Sequence, residues 1–303
     1  MKMIDRLIDE IKRKQNPCIV GIDPAWEKLP ACYRSISDRA ADCILCWAKD
    51  VIDAVADVVV AVKPQMAFFE VFGSEGIRVH QQVVAYAHQQ GLLVIDDSKR
   101  NDIGNTAKAY ATAHLAKDGP INADFLTVNP FLGTDSLEPF LHIAKQDDKG
   151  LFILVKTSNP SSHEISEAVR PDGHTVCEWL AAQVNQYGTQ CMGQSGYSSI
   201  GAVVGATYPA QAAALRQRMK EQFFLVPGYG AQGGNADSIA ACFNNDGLGV
   251  LISSSRGILY HYQQVPNWQP DREAYQEDVR IQARRMQQDV YAALQTACGQ
   301  LSY

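Results

Sequence analysis

Short apolar runs recur along the chain, each followed by a longer stretch in which apolar residues return at helical spacing. The runs cover residues 18–22, 58–62, 92–95, 125–128, 151–155, 202–205, 223–226 and 249–252. Most are aliphatic or β-branched with little alternation, the pattern of strands buried on both faces of a parallel sheet. Helical segments fall between them, including 39–56, 79–89, 106–116, 175–186 and 236–243. This alternation predicts an α/β fold, a (β/α)8 TIM barrel, as a single domain over residues 1–303. A doubly wound open sheet is the alternative, because counting strands does not show closure. The first ten residues read as an extra amphipathic helix, and 272–301 as one long C-terminal helix packed on the outside. No linker, repeat or low-complexity tract divides the chain. Two loops, 159–173 and 186–199, are rich in Gly, Pro or Ser and read as surface insertions, one of them a candidate lid.

Composition narrows the function classes. Hydrophobic residues make up 46% of the chain, enough for a sizeable core, and the formal net charge is −6. That charge argues against nucleic acid or a membrane surface as a partner, while leaving room for a local anion pocket. No apolar run reaches the ~18 residues that span a bilayer. The charged N-terminus does not read as a signal peptide, so the expected location is the cytoplasm. The eight cysteines are then expected to be reduced thiols. Cys43 and Cys46 form a C-x-x-C inside a helical run without a second ligand pair, which favours packing over metal binding. The histidines, His80, His88, His114, His142, His163, His174 and His261, read as helix or loop residues away from the strand ends. None is expected as a metal ligand or general base.

The densest chemistry follows the third apolar run, in Asp97-Ser98-Lys99-Arg100-Asn101-Asp102-Ile103-Gly104-Asn105-Thr106. Residues two apart on a strand share a face, so Asp97 and Lys99 project together. Lys63, ending the second apolar run, joins them if the strands converge, with Asp102 three residues beyond Lys99. Such alternating charges would offset the cost of burying any one of them alone. The same spacing also suits an ordinary ion pair and an Asp helix cap. Asp23, Lys63, Asp97, Lys99, Ser158, Gln232 and Arg256 all fall at strand ends, where a parallel barrel gathers its functional loops. Gly228, Gly230, Gly233 and Gly234 leave backbone N–H groups open to a phosphate, and Arg256 at the next strand end offers a planar donor fork. Tight turns and a surface cation are the simpler reading of these residues.

Asp97-x-Lys99-x-x-Asp102-Ile103-x-x-Thr106 resembles the signature of the orotidine 5'-monophosphate decarboxylases. Gly21-Ile22-Asp23-Pro24, Val62-Lys63-Pro64, Thr157-Ser158-Asn159-Pro160, the stretch from Pro227 to Gly234 and Ser254-Ser255-Arg256-Gly257 agree in order. Chain length, Phe68-Phe69-Glu70 and Val204-Gly205-Ala206-Thr207 are similar to the longer, bacterial-type branch. The resemblance implies conversion of orotidine 5'-monophosphate to uridine 5'-monophosphate in pyrimidine synthesis, without metal or other cofactor. It implies that Lys99 stabilises and protonates a C6 carbanion while Asp97 holds Lys99 and crowds the departing carboxylate. Lys63 and Asp102 would fix the array and bind ribose, with Asp23 on the ribose hydroxyls. Ser158 would read the base, Gln232 would bridge base and phosphate, and Arg256 would hold the phosphate. It further implies a homodimer in which Asp102, Ile103 and Thr106 reach into the neighbouring site. A rival on the same barrel is the Mg²⁺-dependent sugar-phosphate decarboxylase or aldolase, which needs an acidic residue where this chain has Lys63.

Overall fold

The computed structural model describes residues 1–205, 207–229 and 239–298. Eight parallel strands close into a barrel in sequence order, β1-β2-β3-β4-β5-β6-β7-β8, which removes the open-sheet alternative. They are β1 Cys18–Ile22, β2 Ala61–Pro64, β3 Leu93–Arg100, β4 Phe125–Val128, β5 Gly150–Lys156, β6 Ser198–Val204, β7 Gln222–Pro227 and β8 Val250–Ser254. Helices Ala40–Val55, Gly73–Gln89, Gly104–Leu115, Glu138–Asp147, Val176–Gly188 and Pro209–Arg218 pack outside. The helix expected at 236–243 begins outside the described residues.

Two strands differ from their apolar runs. Val58 and Val59 are buried, but their N–H groups bond back to the Val55 carbonyl and close the preceding helix. The strand therefore starts at Ala61 and carries Lys63 within it, beside Gly21 of β1. β3 continues past its apolar run to Arg100, because the charges of Asp97 and Lys99 are paired where they enter the barrel.

The barrel is stoppered at its N-terminal end by the helix Met3–Lys14. Met3, Ile4, Leu7, Ile8 and Ile11 pack against Ile19, Leu93, Phe125, Phe152, Phe223 and Leu251 in one buried cluster. Lys14 donates to the carbonyls of Ala56 and Val59 at 2.7 and 2.6 Å, satisfying acceptors left by the end of a neighbouring helix. The loop 186–199 belongs to this closed end, where Asp5 accepts the N–H groups of Gln194 and Ser195 at 2.9 Å. It lies opposite the strand ends that carry the candidate site, so of the two loops only 159–173 remains a candidate lid. The long helix Arg272–Cys298 packs outside as expected. Its Tyr275 accepts from Trp47 at 2.7 Å, and its Arg272 pairs with Asp50. Cys18, Cys32, Cys43, Cys46, Cys177, Cys191 and Cys242 are free thiols.

Candidate active site

Asp97 organises the open end of the barrel. Its Oδ2 accepts from Lys63 Nζ at 2.6 Å and Gln65 Nε2 at 3.0 Å. Its Oδ1 accepts from Lys99 Nζ at 2.5 Å and Thr127 Oγ1 at 3.0 Å. Four donors thus fill a buried carboxylate, the condition under which burying charge is tolerable. Burial pushes the Asp97 carboxyl up, but Lys63 and Lys99 outweigh it and hold the pKa at about 2. Burial also acts against the Lys63 ammonium, and the attraction of Asp97 and Asp23 overrides it, so its pKa is raised. Lys63 is buried, whereas 43% of the Lys99 side chain stays exposed. Of the two lysines, Lys99 is therefore the one exposed to a ligand.

The backbone at Lys99 is bent to allow this. Its φ of 47° lies in the left-handed region, which costs a non-glycine residue roughly 1–2 kcal/mol. The β3–β4 register is irregular between Asp96 and Arg100, and Thr127 Oγ1 captures the displaced Lys99 N–H at 2.9 Å. Local strain of this kind persists only where surrounding bonds enforce it.

Asp23 follows β1, and its Oδ1 is buried without a hydrogen-bond partner among the described residues. Desolvation raises its pKa, with Lys63 acting in the opposite direction. A buried, unfilled acceptor suits a ligand that brings its own donors, such as sugar hydroxyls. Tyr260 donates to the Asp23 carbonyl and accepts from Ala25 N–H, clamping this turn. Gly21 is required here, because a Cβ would stand 1.9 Å from Ser255 Oγ.

Asp23, Lys63, Asp97, Lys99, Ser158 and Arg256 line one cavity of about 430 Å³, a volume suited to a small-molecule ligand. Arg256 opens a short helix directly after β8, and Gly228 takes a left-handed turn after β7. Gln232 and the glycines at 230, 233 and 234 lie outside the described residues. Asp102, Ile103 and Thr106 do not enter this chain's cavity. Asp102 Oδ1 accepts its neighbour Ile103 N–H at 2.8 Å, Ile103 is 55% exposed, and Thr106 is exposed. Three of the four charged residues therefore meet within one chain. The helix beginning at Gly104 has no side-chain cap, so the Asp-cap reading is also corrected.

Sequence reasoning missed Gln65, Thr127 and Tyr260, whose polar groups complete the site from neighbouring strands and loops. It also placed the histidines away from the strand ends. His114 Nδ1 instead lies 2.6 Å from Asp96 Oδ2, directly behind the Asp97–Lys99 segment. The signal was Asp96 itself, a carboxylate on the outward face of a doubly buried strand, which needs a partner.

A divalent cation does not fit this donor set. The Lys63 and Lys99 ammonium groups already occupy the two oxygens of Asp97. Among the described residues, no group of three or more His, Cys, Asp or Glu side chains is placed to hold a metal ion.

A closed parallel barrel with a charge-lined cavity at its strand ends defines a (β/α)8 enzyme acting on a small polar ligand. Residues 17–268 match the model of the orotidine 5'-phosphate decarboxylase / HUMPS family. The chain is 40% identical to the orotidine 5'-phosphate decarboxylase of Rhodopirellula baltica over 300 residues, covering 96% of this chain and 99% of that one. It is 37% identical to the Clostridium tetani protein of the same name over 292 residues, with 96% and 99% covered. Among solved structures, an OMP decarboxylase from Leishmania donovani superposes with a TM-score of 0.76 at 30% identity, covering 97% of this chain and 99% of that one. The chain belongs to the orotidine 5'-phosphate decarboxylase / HUMPS family.

Proposed function

We infer that this protein decarboxylates orotidine 5'-monophosphate to uridine 5'-monophosphate in pyrimidine nucleotide synthesis, a role consistent with the cytoplasm. The observation that carries the reading is the Lys63–Asp97–Lys99 array inside the cavity that also holds Arg256. The reaction breaks the bond between C6 and the carboxylate, and the electron pair remains on C6 as carbon dioxide leaves. A positive group fixed beside C6 stabilises that developing charge without reorganisation. Lys99 supplies it, then transfers an Nζ proton to C6 and is reprotonated from water. Asp97 holds Lys99 in place and crowds the substrate carboxylate, and Lys63 keeps Asp97 ionised.

The rest of the nucleotide is assigned from the surrounding groups. Asp23 accepts from ribose hydroxyls, Ser158 reads the base edge, and Arg256 clamps the phosphate with a planar fork of donors. Gln232 is assigned the bridge between phosphate and base. Binding of the remote phosphate orders the site for the chemical step. We further propose a homodimer in which Asp102, Ile103 and Thr106 complete the partner's site. The exposure of Ile103 and Thr106 beside Asp102, outside their own chain's cavity, supports this.

The test is a product balance. Purified protein given orotidine 5'-monophosphate should release one carbon dioxide for each uridine 5'-monophosphate formed. Turnover of a sugar phosphate with none of this nucleotide would transfer the protein to the metal-dependent branch.

A further inference from the structure

Along β3 the inward-facing Asp97 and Lys99 alternate with the outward-facing Asp96, Ser98 and Arg100, and all three outward residues converge on one imidazole. His114 Nδ1 lies 2.6 Å from Asp96 Oδ2 and 3.4 Å from Ser98 Oγ. Arg100 Nε–H donates to His114 Nε2 at 3.2 Å. That donation requires a lone pair on Nε2, so the network assigns a neutral ring whose Nδ1–H donates to Asp96. Arg100 continues to Glu70 at 2.5 Å, and Ser98 Oγ donates to Asp96 Oδ1. His114 is 4% exposed and Asp96 fully buried.

We propose that His114 is a positioning residue for the decarboxylation, holding Lys99 in its left-handed backbone conformation by tying down the strand on both sides of it. The ring sits on the helix Gly104–Leu115, which follows the loop carrying Asp102. The same contacts tie the last turn of that helix back to β3. His114 touches neither the cavity nor any reacting atom, and it acts through Asp96 and Arg100. Its surroundings are specified from every side. Asp96, Ser98 and Arg100 come from β3, and Tyr110 from its own helix, with ring centroids 6.3 Å apart. His80, from the helix Gly73–Gln89, has its Nε2 3.5 Å from Asp96 Oδ1 without hydrogen-bond geometry. Glu70 closes the chain through Arg100.

The inference rests on the decarboxylase reading, and its test separates the two. In His114→Phe the polar contacts to Asp96, Ser98 and Arg100 are lost, and kcat should fall about tenfold to hundredfold, the penalty of roughly 1 Å misplacement in a site. KM should change less than about threefold, since ground-state contacts are untouched. His114→Asn can restore the donor to Asp96 and His114→Gln the acceptor for Arg100, so each should recover part of kcat. If His114→Phe does not fold, the Asn and Gln variants decide by the same measures. A folded His114→Phe with kcat within about twofold of wild type, or Asn and Gln variants no more active than His114→Phe, would overturn the proposal while leaving the decarboxylase reading intact. Ring ¹⁵N NMR of the wild-type protein decides independently of activity. The Nδ1–H tautomer supports the proposal, and the Nε2–H tautomer overturns it even if the enzyme were inactive on this nucleotide.

Discussion

Lys99 and Asp97 form one ion pair but differ in exposure. Asp97 is buried and saturated by four donors, while Lys99 keeps its ammonium at the cavity wall. Lys99→Ala should therefore lose turnover by many orders of magnitude while still binding uridine 5'-monophosphate. On the proposed mechanism, both the charge facing C6 and the proton donor disappear. A variant retaining more than a tenth of wild-type kcat, a loss of only ~1.4 kcal/mol, would exclude Lys99 as the acid. Asp97 also predicts an acid sensitivity. Its pKa falls from an ordinary 3.8 to about 2 in the folded protein. The unfolded chain thus binds the proton more readily, and the stabilisation is complete above pH 3.8. It is lost as pH falls through about 2, and amounts to on the order of 2 kcal/mol. Urea unfolding at steps between pH 5 and 2 should show this decline. It should shrink in Asp97→Asn, which is destabilised at neutral pH by about 3–5 kcal/mol because Lys63 loses its buried partner. An Asp97→Asn protein as stable as wild type would contradict the arrangement.

At the scale of elements, β8 and β2 flank β1 in the closed barrel, so the proposed phosphate-binding and reacting groups share one mouth. Arg256, opening the helix after β8, lies well away in sequence from the charged triad on β2 and β3 but shares its cavity. Arg256→Ala should raise KM for the intact nucleotide tenfold or more, a loss of at least ~1.4 kcal/mol of binding, and hardly affect a nucleoside lacking the phosphate. Equal losses on both would remove Arg256 from phosphate recognition. The strands were legible because each presents a nearly unbroken apolar run to two buried faces. Their ends were less so. Val58 and Val59 look like strand but finish a helix, since burial alone does not reveal where an N–H group bonds. β3 outruns its apolar stretch because Asp97 and Lys99 neutralise each other inside the barrel, which no single-residue preference records. The candidate residues Asp23, Lys63, Asp97, Lys99, Ser158 and Arg256 were legible as strand-end groups, and the structure brings them together. Gln65 and Thr127 were not, because their role depends on which strands become neighbours. His114 escaped notice for the same reason, meeting Asp96 only after the chain has turned from strand to helix.

For the whole molecule, the position of Asp102 decides how many chains make a working site. It stands apart from Lys63, Asp97 and Lys99 within its own chain. A homodimer sharing its sites predicts that inactive Lys99→Ala and inactive Asp102→Ala chains complement when mixed. A heterodimer then carries one site with both lesions and one with neither. With random re-pairing, bulk recovery should approach about a quarter of wild-type activity, by the symmetry of a two-fold interface. No recovery after demonstrated subunit exchange would return Asp102 to its own chain's site. The central claim is that fixed ammonium charge, rather than a divalent cation, stabilises the carbanion. It is tested most directly by the rate of carbon dioxide release from orotidine 5'-monophosphate before and after exhaustive EDTA treatment. The account predicts the same rate in both and no increase on adding Mg²⁺. Activity abolished by EDTA and restored by Mg²⁺ would contradict it.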